Sequence, residues 1–240
     1  MAIHRYSIFS FALLPLLGLA ACTAPAAPVA PEASVKPGVN QPFLEASDED
    51  IQTFSNMFEG ESRDISIARD AILAAMDIRP GMAIADIGAG TGLFEPQLSS
   101  LVGDKGKVYA VDLAPAMLDH LRARVAEDNL HNVEVVACTE SESGLAPNSV
   151  DLIFVCDTYH HFEYPQTTLA SLKDALRPGG TLAIVDFERI PGISRQWILD
   201  HVRAGKEVTR SEIEQAGFEF IDEPHVEGLS ENYMILFRRP

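Results

Sequence analysis

The stretch Met82-Ala-Ile-Ala-Asp86-Ile-Gly88-Ala-Gly90-Thr-Gly92 decides the fold that we expect for this 240-residue chain. Its first half, 82–87, is an apolar run typical of a buried strand. The glycines that follow permit positive φ angles and close approach of the backbone to a ligand, because they carry no Cβ. A second apolar run, 107–111, ends in Asp112, whose carboxylate is placed to accept two ribose hydroxyl hydrogen bonds. Together these features predict a nucleoside-type ligand.

Strand and helix patterns alternate through the rest of the chain, which favours a parallel sheet covered by helices on both faces. Further strands are predicted at 133–137, 150–156, 181–187, 218–221 and 233–237. Pro115 and Pro165 open two of the helices, since proline at the first helical position loses no hydrogen-bond partner. The sequence Thr209-Arg-Ser-Glu212 has the pattern of a capping box before a last helix at 213–216.

Charge and cysteine content exclude two classes of ligand. The chain has 35 acidic and 18 basic residues, a formal net charge of −17, so a nucleic acid would meet a repulsive field and is not expected as a partner. Its three cysteines, Cys22, Cys138 and Cys156, lack the spacing of a structural zinc site.

Residues 1–21 have the pattern of a bacterial export signal. His4 and Arg5 precede an apolar stretch that is too short and too interrupted for a comfortable membrane span. It closes on Leu19-Ala-Ala-Cys22, which resembles a lipobox and implies lipidation of Cys22. We therefore expect an exported protein on the periplasmic side of an envelope membrane, attached only through Cys22. An ordinary secretory signal is the alternative.

Residues 22–48 are expected to form a flexible tether, because this Ala- and Pro-rich segment has few large apolar groups to bury. The remainder, 49–240, shows no internal repeat and no second core. We predict a single folded domain there, and the sequence leaves its oligomeric state open.

Several separated motifs resemble the class I S-adenosylmethionine-dependent methyltransferases, particularly the small-molecule type-11 group, over 65–237. The matching segments are Asp86 with its glycine loop, Asp112, Pro115-Ala-Met-Leu118, Asp151-Leu-Ile-Phe-Val155 leading to Asp157, and Leu176-Arg-Pro-Gly-Gly180. Domains that bind NAD share this layout, but their GxGxxG pattern would need glycine where this chain has Leu93. The resemblance implies an α/β fold, a Rossmann-like three-layer αβα sandwich whose mostly parallel seven-stranded sheet has an antiparallel last strand.

The resemblance also implies S-adenosylmethionine as the methyl donor, consumed as a cosubstrate. The cofactor-binding residues implied are Gly88, Ala89, Gly90 and Gly92 beside the methionine portion, Asp86 orienting their loop, Asp112 on the ribose, and Leu113 and Met117 beside the adenine. For Met117, packing in the core is the alternative. Thr139, with Glu140 next to it, stands where the family has an acidic residue, so the contact to the adenine amino group stays open.

The loop Asp157-Thr-Tyr-His160-His161-Phe162 is where this family places groups that face the transferred methyl and its acceptor. Asp157 is counted with the cofactor-binding residues, and His160 and His161 are the candidate catalytic bases, because a neutral imidazole removes a proton readily. In the alternative, one histidine packs internally and the other faces solvent. A metal site is not expected, since adjacent residues of an extended segment point apart and no third ligand is evident.

Two segments are expected to close the cleft: 188–208, which holds Trp197, His201 and Arg203, and 54–63 on the other side. For His201 and Arg203, binding of an acidic acceptor and simple solvation are both open. The resemblance implies an in-line SN2 transfer of the methyl group to an unidentified small-molecule acceptor, without a covalent enzyme intermediate.

The export signal conflicts with a cofactor made in the cytoplasm. Three resolutions stay open: the compartment receives the cofactor, the start codon is misassigned and the enzyme is cytoplasmic, or the chain is an exported lipoprotein that binds nucleosides without catalysis. The methyltransferase is our prediction.

In the family's strand order 3-2-1-4, Cys138 and Cys156 lie about 14 Å apart, three strand spacings. That separation exceeds the limit for a disulfide, so two free and mostly buried thiols are predicted.

Overall fold

The computed structural model describes Met1, residues 31–60 and residues 64–240, and Glu32–Pro240 form one compact unit. The strands are β1 (Ala83–Ile87), β2 (Lys107–Asp112), β3 (Val133–Ala137), β4 (Val150–Cys156), β5 (Leu176–Phe187), β6 (Glu219–Asp222) and β7 (Asn232–Arg238). The helices of these residues are α1 (Gln41–Leu44), α2 (Asp48–Phe58), α3 (Asp64–Ala75), α4 (Glu95–Val102), α5 (Pro115–Glu127), α6 (Pro165–Ala175), α7 (Gln196–His201) and α8 (Lys206–Gln215). The signal peptide and Cys22 lie outside the described residues.

The seven strands form one sheet in the order β3-β2-β1-β4-β5-β7-β6. The five strands β3, β2, β1, β4 and β5 run parallel, whereas β7 runs antiparallel to both β5 and β6. This is the Rossmann-like sandwich expected from the alternating pattern and the family resemblance. Reversal of strand order at β1 and β4 brings the loops after those strands to a crevice at the carboxyl edge.

Alternate side chains of β4 supply both layers of the core. Leu152 and Phe154 pack with buried residues of α3 and α4 on one face, whereas Ile153 and Val155 pack with those of α6 and α8 on the other. Burial on both faces explains why the strand is almost continuously apolar. Burial of each such side chain contributes about 1.5–3 kcal/mol to stability. Because β4 is held on both faces in this way, the position of its end at Cys156 and of the loop that follows is well defined.

Two elements differ from the sequence expectation. Strand β5 begins at Leu176 rather than 181, because the Arg177-Pro-Gly-Gly180 segment continues in extended conformation after a register irregularity opposite β4. Helix α8 begins at Lys206 with Gly205 as its N-cap, so the predicted capping box at Thr209 is wrong. Thr209 is buried inside the helix, where it packs instead of capping.

Residues 32–44 make ordered contacts with the domain, earlier in the chain than the composition indicates. The Glu32 carboxylate accepts the backbone N–H groups of Gln166 and Thr167, in the first turn of α6, at 3.0 and 2.7 Å. The buried carboxylate of Glu163 accepts the N–H groups of Gly38 and Val39. Acidic side chains thus bind unpaired N–H groups, and this stabilises a segment that has little apolar surface of its own.

Cys138 follows β3 and Cys156 ends β4, and the two are not joined by a disulfide, as predicted from the strand order. Burial raises the pKa of Cys138 to about 12, so that thiol stays protonated at neutral pH. In the described part of the chain, no helix has both the length and the hydropathy needed to span a bilayer.

Candidate functional site

A cavity of about 750 Å³ lies at the carboxyl ends of β1, β2 and β4. Its volume is within the range of small-molecule sites, about 300–1,000 Å³. The glycine loop after β1 forms one wall, α1 and α2 form another, and α7 with the segment before it closes a third. Both segments that the sequence expected to cover the cleft therefore line it.

The glycine loop turns sharply because three of its residues have positive φ: Gly88 at 75°, Gly90 at 57° and Gly92 at 88°. A Cβ added at Gly88 would clash with the side chain of Thr158, so the loops after β1 and β4 pack in direct contact. At Gly90 an added Cβ would instead point toward the cavity, with Phe58 its nearest neighbour at 3.7 Å. The loop thus presents bare backbone to a ligand.

Asp112 at the tip of β2 is hydrogen-bonded to the glycine loop. Its Oδ2 accepts the backbone N–H of Gly90 at 2.9 Å, and its Oδ1 accepts that of Ala114 at 2.9 Å. Burial raises the pKa of Asp112, while these backbone N–H groups act in the opposite direction. The side chain lines the cavity, so the predicted ribose anchor and the predicted loop meet at one point.

Asp86 and Glu95 form a buried pair of carboxyl groups behind the loop. Burial, followed by the charge of Glu95, raises the pKa of Asp86 well above its usual value. Burial likewise raises the pKa of Glu95 to about 7, against the opposing effect of Arg124. Burial of both carboxyl groups side by side therefore favours a protonated state of the pair over two negative charges.

The remaining cofactor residues expected from the sequence divide into two groups. Leu113, Met117 and Asp157 line the cavity. Met117 is also packed in a cluster with Ile51 of α2, as in the core-packing alternative, and its contact with adenine stays a prediction. Thr139 and Glu140 do not line the cavity: the Thr139 hydroxyl accepts a backbone N–H within its own turn, and the Glu140 carbonyl accepts a bond from Thr168. The expected adenine contact at these two positions is therefore not formed by the described geometry.

His160 and His161 lie on a single 3₁₀ turn, Tyr159–His161, immediately after β4. The sequence expectation of an extended segment here is wrong. In the turn the two adjacent rings lie on the same side of the chain, with their centroids 4.3 Å apart, and both line the cavity. His160 is buried, whereas His161 is only partly buried.

Asp186 at the end of β5 orients His160. Its Oδ1 lies 2.7 Å from Nδ1 of His160, and its Oδ2 accepts the backbone N–H of the same residue at 2.9 Å. Both side chains are almost fully buried. Because Nδ1 is held by the carboxylate, Nε2 is the nitrogen of His160 that remains available for chemistry.

His201, in the last turn of α7, completes a group of three histidines. One ring nitrogen from each of His160, His161 and His201 lies within 4.8 Å of the others, and Nε2 of His201 is 3.3 Å from Nε2 of His161. Burial lowers the pKa of His161 to about 2 and that of His201 to about 4, and the charge of His160 acts in the same direction. The sequence expectation that no third ligand is present is wrong.

Aromatic rings form the remaining walls of the cavity. Phe43 of α1 packs against Phe54 and Phe58 of α2, with ring centroids 5.4 and 6.3 Å away, and against the edge of His161 at 5.2 Å. On the opposite side Trp197 stacks on His201 at 4.9 Å. An acceptor in this space meets flat apolar surface on both sides and imidazole nitrogens at the end.

Arg203 does not point into the cavity, although it was a candidate for binding an acidic acceptor. Its guanidinium makes a bidentate pair with the Glu212 carboxylate at 2.9 and 2.8 Å and lies over the Tyr159 ring. The Tyr159 hydroxyl donates to the same carboxylate at 2.8 Å. This network holds the 3₁₀ turn from behind and so positions the adjacent histidines.

Comparison with known proteins agrees with this geometry. A family model described as "Methyltransferase domain" matches residues 85–184. Over these residues the chain is similar to methyltransferases. A ubiquinone/menaquinone biosynthesis C-methyltransferase UbiE from a Shewanella species is 30% identical over 112 residues. That alignment covers 46% of this chain and 45% of the relative, so the chain spans under half the length of the curated relatives that it matches.

Solved structures show the same methyltransferase fold. An S-adenosylmethionine-dependent methyltransferase from Aquifex aeolicus is 26% identical with a TM-score of 0.70, over 80% of this chain and 98% of that one. The phosphoethanolamine N-methyltransferase 2 of Haemonchus contortus, solved with S-adenosylmethionine, has a TM-score of 0.64 at 22% identity, over 78% of this chain and 45% of that one. The methyltransferase names of these relatives support the enzyme rather than the non-catalytic alternative.

The site residues of this chain fit S-adenosylmethionine. Gly90 leaves room at the cavity wall that a Cβ would fill, and Asp112 offers a buried carboxylate beside it. Asp86 and Asp112 are buried acidic groups at the cavity wall, and their oxygen atoms are acceptors for a polar, cationic ligand. Sequence reasoning missed Asp186 and Phe43. An acidic residue in the apolar run of β5 was the signal for Asp186, whereas nothing near Phe43 marked it.

Proposed function

We propose that the protein transfers the methyl group of S-adenosylmethionine to a small-molecule acceptor held between α2 and α7. The observation that carries the proposal is the arrangement of one cavity with the Gly90–Asp112 pair on one side and the three histidines on another. Enzymes that transfer a group between two small molecules need both molecules aligned in one enclosed space.

The chain's own residues bind and align the methyl donor. Gly88 and Gly90 approach it with bare backbone, and Asp112 holds its ribose through lone pairs not used by Gly90 and Ala114. S-adenosylmethionine, when bound, supplies an electrophilic methyl group on a positively charged sulfur. The walls of α2 and α7 exclude water from the reacting atoms.

The acceptor is expected to have a flat apolar body and one polar reacting atom. The phenyl rings of Phe43, Phe54 and Phe58 and the indole of Trp197 offer stacking surfaces. The imidazoles of His160 and His161 are the polar groups placed to face the reacting atom. A quinone-type ring meets this description, and the name of the curated relatives, which places them in ubiquinone and menaquinone biosynthesis, supports this class of acceptor.

His160 is the better placed of the two candidate bases. Its Nε2 is available, and the Asp186 carboxylate on Nδ1 stabilises the imidazolium that forms when Nε2 accepts a proton. His161 has no such partner, because its buried Nδ1 makes no hydrogen bond with the described residues. We therefore assign the proton-accepting role to His160 and a positioning role to His161.

Calorimetric titration of the full chain with S-adenosylmethionine tests the first half of the proposal, and absence of binding would overturn it. Transfer of an isotope-labelled methyl group to a panel of hydroxylated aromatic acceptors, quinols included, tests the second half. We expect His160→Gln to lower turnover while sparing cofactor affinity, and the exposed His225→Ala to change neither. Equal turnover in His160→Gln and the unmodified protein would retire the base assignment.

We further propose that the protein is exported and anchored through a lipid on Cys22. The lipobox-like sequence at 19–22 supports this location. The envelope must then receive the cofactor from the cytoplasm. A cytoplasmic enzyme with a later start codon is the competing proposal, and both locations leave the cavity unchanged, because it is built from residues 39–232.

A further inference from the structure

We propose that His160, His161 and His201 form a binding site for a divalent first-row transition-metal ion, with the remaining coordination position open to the cavity. All three residues line that cavity, and they come from two segments forty residues apart in sequence. The loop after β4 supplies two of the ligands and α7 supplies the third.

The distances between the ring nitrogens agree with those of a metal centre. In a tetrahedral site with metal–nitrogen bonds of about 2.0–2.1 Å, the ligand nitrogens lie roughly 3.3 Å apart. Nε2 of His161 and Nε2 of His201 are already 3.3 Å apart, and no pair in the group exceeds 4.8 Å. Small rotations of the side chains are enough to complete the geometry.

Asp186 supplies the outer contact that metal-bound histidines normally have. A metal-ligating imidazole usually donates its other N–H to a carboxylate, which fixes the ring orientation and makes the ligating nitrogen more basic. Nδ1 of His160 has this partner at 2.7 Å, and the carboxylate is itself fixed by the N–H groups of His160 and Phe187. Lys36 lies nearby, since its ammonium group donates to the backbone carbonyl of His201, and Asp186 offsets part of the positive charge that an ion would add there.

The surroundings of His161 and His201 favour an ion over a simple pair of hydrogen-bonded rings. A contact between the two Nε2 atoms uses one lone pair, yet it leaves Nδ1 of His161 buried without a hydrogen bond among the described residues. An ion bound to Nδ1 would supply the missing partner, and an ion bound to Nε2 would replace the contact between the rings with a stronger interaction. The Trp197 ring stacked on His201 limits the movement of that ligand.

Three neutral nitrogen ligands define the class of ion. Imidazole suits zinc, copper, nickel and iron, whereas magnesium and calcium prefer oxygen ligands. Three histidines with one open position are the ligand set of catalytic rather than structural zinc sites. A hydroxyl or thiol becomes more acidic at the open position, so it gives its proton to water as it binds, before the methyl transfer.

The role of this ion in acceptor binding rests on the proposed function. Binding of the ion to the three histidines does not. The lone pair on Nε2 of His160 can bind either a proton or the ion, but not both. In the metal-bound protein the ion therefore makes the acceptor more acidic, and His160 does not take the proton itself. The two proposals therefore separate when metal binding and cofactor binding are measured on the same preparations.

The test uses the purified full chain, stripped with a chelator and titrated with Co²⁺ and then Zn²⁺. We expect one ion per chain, a visible Co²⁺ spectrum of tetrahedral type, and Zn²⁺ affinity measured by competition with a chromogenic chelator. His201→Ala should weaken Zn²⁺ at least about 100-fold, and Asp186→Asn by about 10- to 100-fold. His131→Ala and His225→Ala, which change exposed histidines elsewhere, are the matched controls.

Asp112→Ala should bind Zn²⁺ like the unmodified protein, and His201→Ala should keep its affinity for S-adenosylmethionine. His201 is the preferred variant because it is only partly buried on a short helix, and thermal unfolding checks that the variant is folded. Equal Zn²⁺ affinity in His201→Ala and the unmodified chain, or no binding by the latter, would overturn the metal site. Loss of cofactor binding with intact metal binding would contradict only the proposed function.

Discussion

The backbone N–H of Gly90 donates a 2.9 Å hydrogen bond to Oδ2 of Asp112, and this bond joins the loop after β1 to the tip of β2. The two residues are 22 positions apart in sequence; Gly90 follows β1, and Asp112 ends the adjacent parallel strand β2. One carboxylate therefore has two tasks: it fixes the shape of the loop, and it offers its remaining lone pairs to the cavity.

Asp112→Ala should weaken S-adenosylmethionine about tenfold to a hundredfold, because hydrogen bonds to a charged group contribute about 1.5–3 kcal/mol each. Isothermal titration calorimetry measures the change. Asp119→Ala is the matched control, since Asp119 is an exposed acid of α5 that pairs only with the exposed Arg122. Equal affinity in the two variants would show that Asp112 does not contact the ligand.

Gly88→Ala should lower the free energy of unfolding by about 2–4 kcal/mol. The positive φ contributes about 1 kcal/mol and the clash with Thr158 contributes the rest. Gly192→Ala separates the two effects, because Gly192 has a φ of 82° with no atom within 4 Å of an added Cβ. Denaturant unfolding measures both. The double variant Gly88→Ala/Thr158→Ala should recover part of the loss, and strictly additive costs would contradict the predicted contact.

Glu95→Gln should raise stability at neutral and alkaline pH. The pKa of Glu95 in the folded state is about 7, above the ordinary value of 4.5, so the folded chain holds a proton that the unfolded chain releases. The free energy of unfolding of the unmodified protein therefore falls as the pH rises from about 4.5 to about 7, by an amount on the order of 3 kcal/mol.

Urea unfolding gives the free energy of unfolding of Glu95→Gln and of the unmodified protein at each pH from 4 to 8, and the difference between the two values is the quantity to follow. This difference removes the contribution of the buried histidines, which is the same in both proteins. Because their pKa values are lowered, the histidines reduce the free energy of unfolding as the pH falls, whereas Glu95 increases it. A difference that stays constant across this range would show that Glu95 ionises normally.

Arg203→Met should lower the free energy of unfolding by about 3 kcal/mol, because it leaves the Glu212 carboxylate without its bidentate partner. The side chains of Arg203 and Glu212 are only 7% and 17% exposed. Arg122→Ala, which removes a pair that is 54% and 73% exposed, should cost less than about 0.5 kcal/mol. Thermal and urea unfolding compare them, and equal costs would contradict the importance of the buried network.

Cys22→Ala should abolish incorporation of labelled palmitate and release the protein from the membrane fraction. Cys138→Ala is the control, since Cys138 is a partly buried free thiol of the folded domain. Label retained in Cys22→Ala would place the lipid elsewhere. No label in the unmodified protein would favour an ordinary secretory signal or a cytoplasmic enzyme.

The strand bounds and the cofactor loop were predictable because their causes are local. Apolar runs define β1 to β4 almost to the residue, and glycines with positive φ are needed wherever a strand turns sharply into a helix. The capping box at Thr209 shows the limit of such patterns. Tertiary packing buried Thr209 inside α8, and Gly205 became the N-cap instead.

The sequence by itself determined the order of strands and helices, the glycine loop and the acid at the tip of β2, since each depends on neighbours along the chain. Only the tertiary structure decided what faces them. His201 meets His160 and His161 because α7 folds back over the end of β4, and Asp186 reaches His160 because β5 lies beside that strand. Contacts between residues 26 to 41 positions apart depend on how strands and helices pack, and no local pattern encodes them.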